Sequence, residues 1–140
     1  MNDDTADRPD RDMFHSWAAQ LPATAIGHPG EQRARLTELV VAGIKTATTS
    51  LLGDYALEGE PVPSPGLYRL VDSDEQPVAI IEVTSVHVCR FVDVGDQHAH
   101  AEGEGDTDAA QWRETHRREW PTVDDDTEVV LERFRVIAVP

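Results

Sequence analysis

The sequence predicts a single α+β domain, a small mixed β-barrel with flanking helices. The chain has 140 residues, which is the usual size of one domain and too short for two ordinary ones. Apolar residues make up 39% of it and charged residues 28%, as in folded proteins. Several short strand patterns are separated by loops, with helical patterns before and between them, and this order fits a mixed barrel better than a βαβ array.

The N-terminal part of the chain predicts a tail followed by two helices. Residues 1–12 are rich in aspartate and nearly free of apolar side chains, so we expect a disordered acidic tail and a domain over residues 13–140. Apolar residues then recur at helical spacing from Met13 to Leu21, with Asp12 as the N-cap. A second helix is predicted over residues 29–42.

Four segments predict strands. β-branched residues dominate residues 45–52, and further strand patterns cover 67–71, 77–91 and 128–139. The polar turn between the second and third segments indicates a hairpin. Residues 59–66 contain three prolines and are predicted to be a loop.

The late part of the chain predicts two helices on either side of an acidic loop. A short helix is expected at residues 96–101, and the glycine-containing loop Glu102–Asp106 follows it. The clearest helix covers residues 108–120, with Asp106 or Thr107 as its N-cap.

The charge balance limits the kinds of partner. Twelve lysines and arginines against 27 aspartates and glutamates give a net charge of −15, which disfavours DNA and long RNA. The charge balance does not exclude a small polar ligand or a short RNA as a partner, because the arginines cluster late in the chain. Cys89 is the only cysteine, so an internal disulfide and a thiolate zinc site are excluded. No segment approaches the ~18 apolar residues of a membrane span, and we expect a cytoplasmic protein without a membrane partner and of undetermined oligomeric state.

Lys45 is the only lysine, whereas arginine fills the other 11 basic positions. Arginine keeps its proton, but a buried ammonium can become a base, so this position predicts proton transfer. Thr46, Thr48 and Thr49 lie beside it and are candidate nucleophiles. In an ideal strand Lys45 and Thr48 point to opposite faces, so they can meet only across a bend. The alternative is a single lysine in an arginine-rich composition, beside a polar strand face.

The acidic loop places three acids at every second residue. This spacing resembles the start of a calcium-binding loop, but Thr107 stands where that loop requires glycine. We expect no metal and no cofactor; a magnesium site, with His98 and His100 as further ligands, is the alternative to a solvated histidine pair. Glu102 and Glu104 are flanked by glycine and can approach a ligand or pair with a lysine. Otherwise the loop only caps the next helix.

Arg113 and His116 share one face of the late helix. Both are candidates for contacts to a ligand, and Arg113 is suited to a phosphate or a carboxylate. The alternative for Arg113 is an ion pair with a nearby acid.

Four motifs carry a resemblance to a known family. They are Gly43–Thr48 (Gly-Ile-Lys-Thr-Ala-Thr), the loop Glu102–Asp106, Trp112-Arg113 followed by His116, and Glu132-Arg133-Phe134 in the last strand. With them the chain, from about Met13 to the last strand, resembles the ASCH-domain family of the PUA-like superfamily. The resemblance implies a PUA-like β-barrel with a cleft for RNA or nucleoside ligands.

The chain is also similar to small bacterial members of that family that remove the acetyl group from N4-acetylcytidine. Those amidohydrolases use a lysine, a threonine and a glutamate, which match Lys45, Thr48 and Glu104 here. The extra N-terminal helices and the Glu-Gly-Glu-Gly-Asp loop depart from those enzymes and look more like a longer subgroup, so the resemblance leaves the substrate open and Glu102 is a rival to Glu104.

Together these features predict an amidohydrolase that acts on an acylated nucleoside such as N4-acetylcytidine. Lys45 takes the proton of Thr48, Thr48 attacks the acyl carbon, and Glu104 orients Lys45 or protonates the leaving amine. Further ligand contacts are predicted for Thr46, Glu102, Arg113 and His116. The alternatives are an RNA-binding or RNA-cleaving module and a domain that binds a nucleotide ligand without catalysis.

Overall fold

The structure of the chain is a computed structural model that describes the backbone of residues 3–140 and the side chains from Arg11 onward. The helices are α1 (Asp3–Ala18), α2 (Glu31–Val41), α3 (Leu52–Glu58), α4 (Asp96–Ala101) and α5 (Ala109–Glu119). The strands are β1 (Ala23–Thr24), β2 (Ala47–Leu51), β3 (Gly66–Val71), β4 (Pro77–Arg90) and β5 (Glu128–Ala138). A single 3₁₀ turn, Phe91–Asp93, follows β4.

The five strands form one mixed sheet in the order β1-β3-β4-β5-β2. This sheet with its flanking helices confirms the predicted α+β class. Within the described residues the sheet is left with β1 and β2 as its edge strands and does not close into a complete barrel. None of the helices in the described part of the chain is long and apolar enough to cross a bilayer.

The chain divides into two compact units. The first contains the residues up to Gly43 together with Gly66–Val83 and Arg135–Pro140, and the second contains Ile44–Pro65 and Thr84–Phe134. Strands β4 and β5 each contribute residues to both units. All of the predicted site residues belong to the second unit.

In the first unit, β1 pairs with β3 in parallel and β3 pairs with β4 in antiparallel orientation. The β3–β4 pair confirms the predicted hairpin. Its turn is fixed by Asp72, whose carboxylate accepts hydrogen bonds from the backbone N–H groups of Asp74 and Gln76. A small core forms where Phe14 and Ala18 of α1 pack with Ile80 of β4.

Helix α1 begins at Asp3, so Asp12 lies inside the helix and the prediction that it is the N-cap was wrong. Extending a helix that is already anchored costs less than nucleating one, so a polar segment can continue it without apolar contacts. Residues 1 and 2 of the predicted tail lie outside the described residues. The domain boundary after residue 12 stays a prediction.

In the second unit, β2 pairs with β5 in antiparallel orientation, from Ala47 opposite Arg133 to Leu51 opposite Val129. Trp112 of α5 packs against Phe91 and Val129 in the core of this unit. The predicted strand 45–52 is shorter than expected because helix α3 begins at Leu52.

The N-cap of α5 also differs from the prediction. Asp108, rather than Asp106 or Thr107, accepts the hydrogen bond from the backbone N–H of Gln111 at 2.9 Å. Asp108 has the extended backbone conformation that directly precedes a helix, which is what an N-cap requires. The Asp106 carboxylate instead accepts a hydrogen bond from Thr115.

Candidate active site

Lys45 lies just before β2 and is buried, with 1% of its surface exposed. Its Nζ donates a hydrogen bond to Glu104 Oε2 at 2.7 Å and another to the main-chain carbonyl of Glu102 at 3.3 Å. The Oε1 atom of Glu102 is 3.8 Å from the same nitrogen. Removing an ammonium from water costs several kcal/mol unless it is paired and hydrogen-bonded. Here two carboxylates and a carbonyl supply those partners.

Glu102 lies at the centre of the cluster and is 3% exposed. Its Oε2 accepts a hydrogen bond from the Thr49 hydroxyl and is 3.0 Å from His98 Nε2. Burial raises the pKa of Glu102, but the hydrogen bond with His98, the charge of Lys45 and the hydrogen bond from Thr49 outweigh it. The net effect lowers the pKa of Glu102 to about 2, so this group is a carboxylate at neutral pH.

Gly103 allows the acidic loop to lie directly on the backbone next to Lys45. Its φ is +67°, in the left-handed region. A Cβ at this position would be 2.8 Å from the carbonyl carbon of Ile44 and 3.0 Å from Lys45 Cα. Thr46 holds the preceding turn, since its backbone N–H and its hydroxyl both donate to the Ala101 carbonyl, at 2.8 and 3.3 Å. Glycine at 103 therefore sets the distance between the two acids and the lysine.

His116 closes the cluster on the α5 side. Its Nδ1 donates to the main-chain carbonyl of Trp112 at 2.8 Å, and its ring stacks on the Trp112 indole with 4.0 Å between the centroids. This leaves Nε2 facing Glu102, with 3.8 Å between Nε2 and Oε1. The tautomer with the proton on Nδ1 follows from the carbonyl partner.

Thr48 takes a different direction from Thr49. Successive side chains of a strand point to opposite faces, and Thr49 points to Glu102 and His98. Thr48 therefore faces the other side of β2, where its direct partner on β5 is Glu132. Among the described residues the Thr48 hydroxyl makes no side-chain hydrogen bond.

Glu132 is the second buried glutamate of this unit, with 9% of its surface exposed. Burial raises the pKa of its carboxyl to about 7. The two buried glutamates of this unit are thus shifted in opposite directions. Glu102 has four polar neighbours that favour its charged form, whereas burial dominates at Glu132.

The structure brings Lys45, Glu102, Glu104 and His116 together, but it directs Thr48, which the sequence predicts for the same site, to the other side of β2. Arg113 does not join them: its guanidinium donates to the main-chain carbonyls of Val92 and Val94, at 3.4 and 3.1 Å. In the described part of the chain no three His, Cys, Asp or Glu side chains meet in an arrangement that could hold a metal ion.

Sequence reasoning missed two functional candidates. His98 was expected to be solvated, but it is buried and bonded to Thr49 and Glu102. Its position four residues before Glu102 on a helix was the available signal. Glu132 was missed because it lies in a charged strand pattern; the signal was its position between the two buried apolar residues of the same strand face, Val130 and Phe134.

Comparison with known proteins agrees with these motifs. The sequence model of the ASCH domain matches residues 23–138. A crystal structure of an ASCH domain from Lactobacillus crispatus is 32% identical, with a TM-score of 0.70, over 82% of this chain and 78% of that one. A crystal structure of a protein from Enterococcus faecalis is 31% identical, with a TM-score of 0.71, over 84% and 77%. No curated protein sequence matches the chain. Because the domain match covers most of the sequence, the chain belongs to the ASCH-domain family.

Proposed function

We propose that this ASCH-domain protein is an amidohydrolase that removes the acyl group from an acylated nucleoside such as N4-acetylcytidine. The observation that supports the proposal is the buried Lys45 ammonium, 2.7 Å from Glu104. A lysine that binds phosphate chains keeps its ammonium accessible. An ammonium enclosed with carboxylates is instead suited to moving protons over short distances, where electrostatic interactions are strong.

Thr48 is the nucleophile in this proposal, because the hydroxyls of the two neighbouring threonines are already bonded. The hydroxyl of Thr46 donates to a main-chain carbonyl and that of Thr49 to Glu102, so both serve the structure. Thr48 is half-buried, and within the described residues its hydroxyl is available to a substrate. The Nζ of Lys45 lies with Glu102 and Glu104 on the side of β2 that Thr49 faces, so the proposed proton transfer requires the Thr48 side chain and the acidic loop to approach each other when substrate binds. Catalytic hydrogen bonds often tighten only when substrate binds.

The proton movements use the short Lys45–Glu104 contact. Lys45 gives one proton to Glu104 and takes the proton of Thr48 as the Thr48 Oγ attacks the acyl carbon. Glu104 then passes its proton to the exocyclic nitrogen as the C–N bond breaks, and the acyl group stays on Thr48 as an ester. The Glu104 side chain is 23% exposed, which makes it the member of the pair that a substrate can reach. Water then hydrolyses the ester.

The remaining predicted ligand residues have supporting tasks in this proposal. Glu102 and His116 hold Lys45 and the loop from within the buried cluster. Thr46 and Arg113 bond to main-chain carbonyls and fix the backbone around it. No metal or cofactor enters the proposed steps.

The test is hydrolysis of N4-acetylcytidine, with cytidine and acetate measured by chromatography. We expect the wild type to release both, and Lys45→Arg and Thr48→Val to lose about 10²–10⁴-fold in rate. Arg118→Lys is the matched control, because it makes the reverse exchange at a side chain that is 72% exposed. Full activity of Lys45→Arg, or an intact acetyl group after incubation with wild type, would reject the proposal.

A labelled short RNA, added to the same preparations at several salt concentrations, tests the RNA-binding and RNA-cleaving alternatives. The described arginines late in the chain include two that are paired with acids, Arg117 with Asp125 and Arg135 with Glu82. We therefore expect weak binding without cleavage. Salt-dependent binding or cleavage that is lost in Lys45→Arg, with N4-acetylcytidine left intact, would replace the hydrolase by an RNA module.

A further inference from the structure

A row of polar side chains lies on the face of β2 that Thr48 shares, away from Glu102. Thr48 is directly opposite Glu132 of β5, and Ser50 follows two residues later on β2. Tyr55 of α3 is hydrogen-bonded to Ser50 and is close enough to Glu132 to respond to its charge. We call these four residues the Glu132 face. Of these four residues, the steps proposed for Lys45 and Glu104 use only Thr48.

We propose that Glu132 is the general base of the second half-reaction and takes the proton of the water that releases the acyl group from Thr48. This inference rests on the proposed function, because it requires an acyl ester on Thr48. It adds a catalytic residue, on the side of β2 that Thr48 faces, to Lys45, Thr48 and Glu104.

The register of the strands supports this role. Residues directly opposite each other in an antiparallel pair have Cβ atoms about 5 Å apart and point to the same face. In the described residues no hydrogen bond joins the Thr48 hydroxyl directly to the Glu132 carboxyl. The two side chains are therefore direct cross-strand neighbours on one face of the sheet, and the proposal places the water molecule between them.

A cavity provides an approach to the Glu132 face. Tyr55, Leu52 and Val62 contribute to the lining of a cavity of about 470 Å³. Since Tyr55 is also hydrogen-bonded to Ser50, the polar side chains continue from the cavity wall towards Thr48. The Tyr55 end of the Glu132 face is therefore open to solvent through this cavity.

The charge state of Glu132 suits a base that works near neutral pH. Burial raises its pKa to about 7, and general bases are most effective when their pKa is close to the working pH. Among the described residues, Tyr55 is the titratable side chain that faces it. Burial raises the pKa of Tyr55, the hydrogen bond with Ser50 opposes this, and the charge of Glu132 adds to it, so Tyr55 is a neutral phenol at pH 7. Arg133, the next residue on β5, points to the opposite face.

The step balances as follows. The Glu132 carboxylate accepts a proton from water while the water oxygen bonds to the acyl carbon of the ester. The tetrahedral intermediate then collapses, and the bond between the acyl carbon and the Thr48 Oγ breaks. The protonated Glu132 returns its proton to that oxygen. The products are a carboxylic acid and the free Thr48 hydroxyl, with Glu132 again a carboxylate.

Glu132→Gln separates the two half-reactions. With N4-acetylcytidine or with p-nitrophenyl acetate, we expect this variant to release the first product in a burst and then to stop. Intact-protein mass spectrometry should show a persistent acetyl group, located on Thr48 by peptide mapping. Hydrolysis of this acetyl ester should be slower in the variant than in the wild type by about 10²–10⁴-fold. Glu114→Gln, at an exposed position of α5, is the matched control and should deacylate like the wild type.

The pH profile gives a second readout that a purely structural role would not change. Wild-type deacylation should rise with pH through a midpoint near 7, because the carboxylate is the active form. Glu132→Gln should show no such midpoint, and Glu132→Asp, which keeps a carboxylate, should regain part of the rate. If Glu132→Gln does not fold, the wild-type midpoint and the rate of Glu132→Asp decide the question.

The outcomes distinguish this inference from the proposed function. If wild type and Glu132→Gln both turn over N4-acetylcytidine without a persistent ester, the function stands and the role of Glu132 is overturned. If wild type leaves N4-acetylcytidine intact, the function fails, and p-nitrophenyl acetate still tests the inference. A Thr48 ester whose decay depends on Glu132 then supports it for another acyl donor, and no ester on Thr48 overturns it.

Discussion

Substitution of Gly103 by alanine tests whether close contact between the acidic loop and the backbone at Ile44 maintains the site. Two terms add in this variant. The left-handed conformation, with φ of +67°, costs a residue with a Cβ about 1–2 kcal/mol. The new Cβ would also be 2.8 Å from the Ile44 carbonyl carbon and 3.0 Å from Lys45 Cα. Because both are backbone atoms they yield only with a shift of the loop, at a cost of about 1–3 kcal/mol.

Gly59→Ala is the matched control for the first term. Gly59 ends helix α3 with φ of +68°, and a Cβ there would have no atom within 4 Å. We expect Gly59→Ala to lose about 1–2 kcal/mol of unfolding free energy and Gly103→Ala to lose about 2–5 kcal/mol. Urea titrations followed by tryptophan fluorescence, with equal m-values, measure the difference.

The loop shift should also separate Glu104 from Lys45. Gly103→Ala should therefore lose deacetylase activity at temperatures where it is still folded, whereas Gly59→Ala should keep it. Equal losses of stability in the two variants would show that the loop does not press on the Ile44–Lys45 backbone. The assigned function of the Gly103 contact would then be wrong.

Three further substitutions test the charges and hydrogen bonds around the site. The pKa of Glu102 is lowered from 4.5 to about 2, which corresponds to about 3 kcal/mol that is present above pH 4.5 and lost as the pH falls towards 2. As the pH falls over this range, the wild type should lose more unfolding free energy than Glu102→Gln by about that amount, in denaturant titrations at several pH values. The same pH dependence in the two proteins would contradict the assignment. Thr49→Val should cost about 1–3 kcal/mol, because it removes the hydrogen bonds of the Thr49 hydroxyl to Glu102 and His98 inside the buried cluster. Thr48→Val should change stability little and stop ester formation, and the reverse pattern would exchange the roles of the two threonines. Arg113→Met should lower the unfolding free energy by about 1–3 kcal/mol without raising the KM for N4-acetylcytidine, and a raised KM would show that Arg113 binds the ligand.

Much of the fold could be predicted from local patterns. Helix α4 has the predicted bounds, and α5 and the β3–β4 hairpin lie where periodicity and turn residues place them. Helix α3 was not predicted, because its seven residues, none of them buried, are too few for a helical period to stand out between the strand before it and the loop after it.

The candidate site could be predicted where the type of a single residue indicated its role. Lys45 is the only lysine in the sequence. The glycines on either side of Glu104 indicate that the backbone there lies close to another segment. Arg113 was less predictable, because a guanidinium that bonds to carbonyls looks the same in sequence as one that binds a phosphate. The role of His98 could be predicted only from its helical spacing to Glu102. That of Glu132 could be predicted only from the strand register, which places it opposite Thr48.

The two buried glutamates show why register decides function in this fold. Glu102 and Glu132 are the same side chain, but the Lys45 cluster keeps the first charged, and burial on the Thr48 side brings the pKa of the second to about 7. Groups whose environments separate their pKa values in this way are suited to different tasks in one reaction. In the proposed reaction, the Glu102 carboxylate holds the Lys45 ammonium that starts acyl transfer, and Glu132 takes the proton of the water that ends it. A shift of one residue in the pairing of β2 with β5 would put Thr49 opposite Glu132 and remove this division, so the β2–β5 register itself specifies the proposed chemistry.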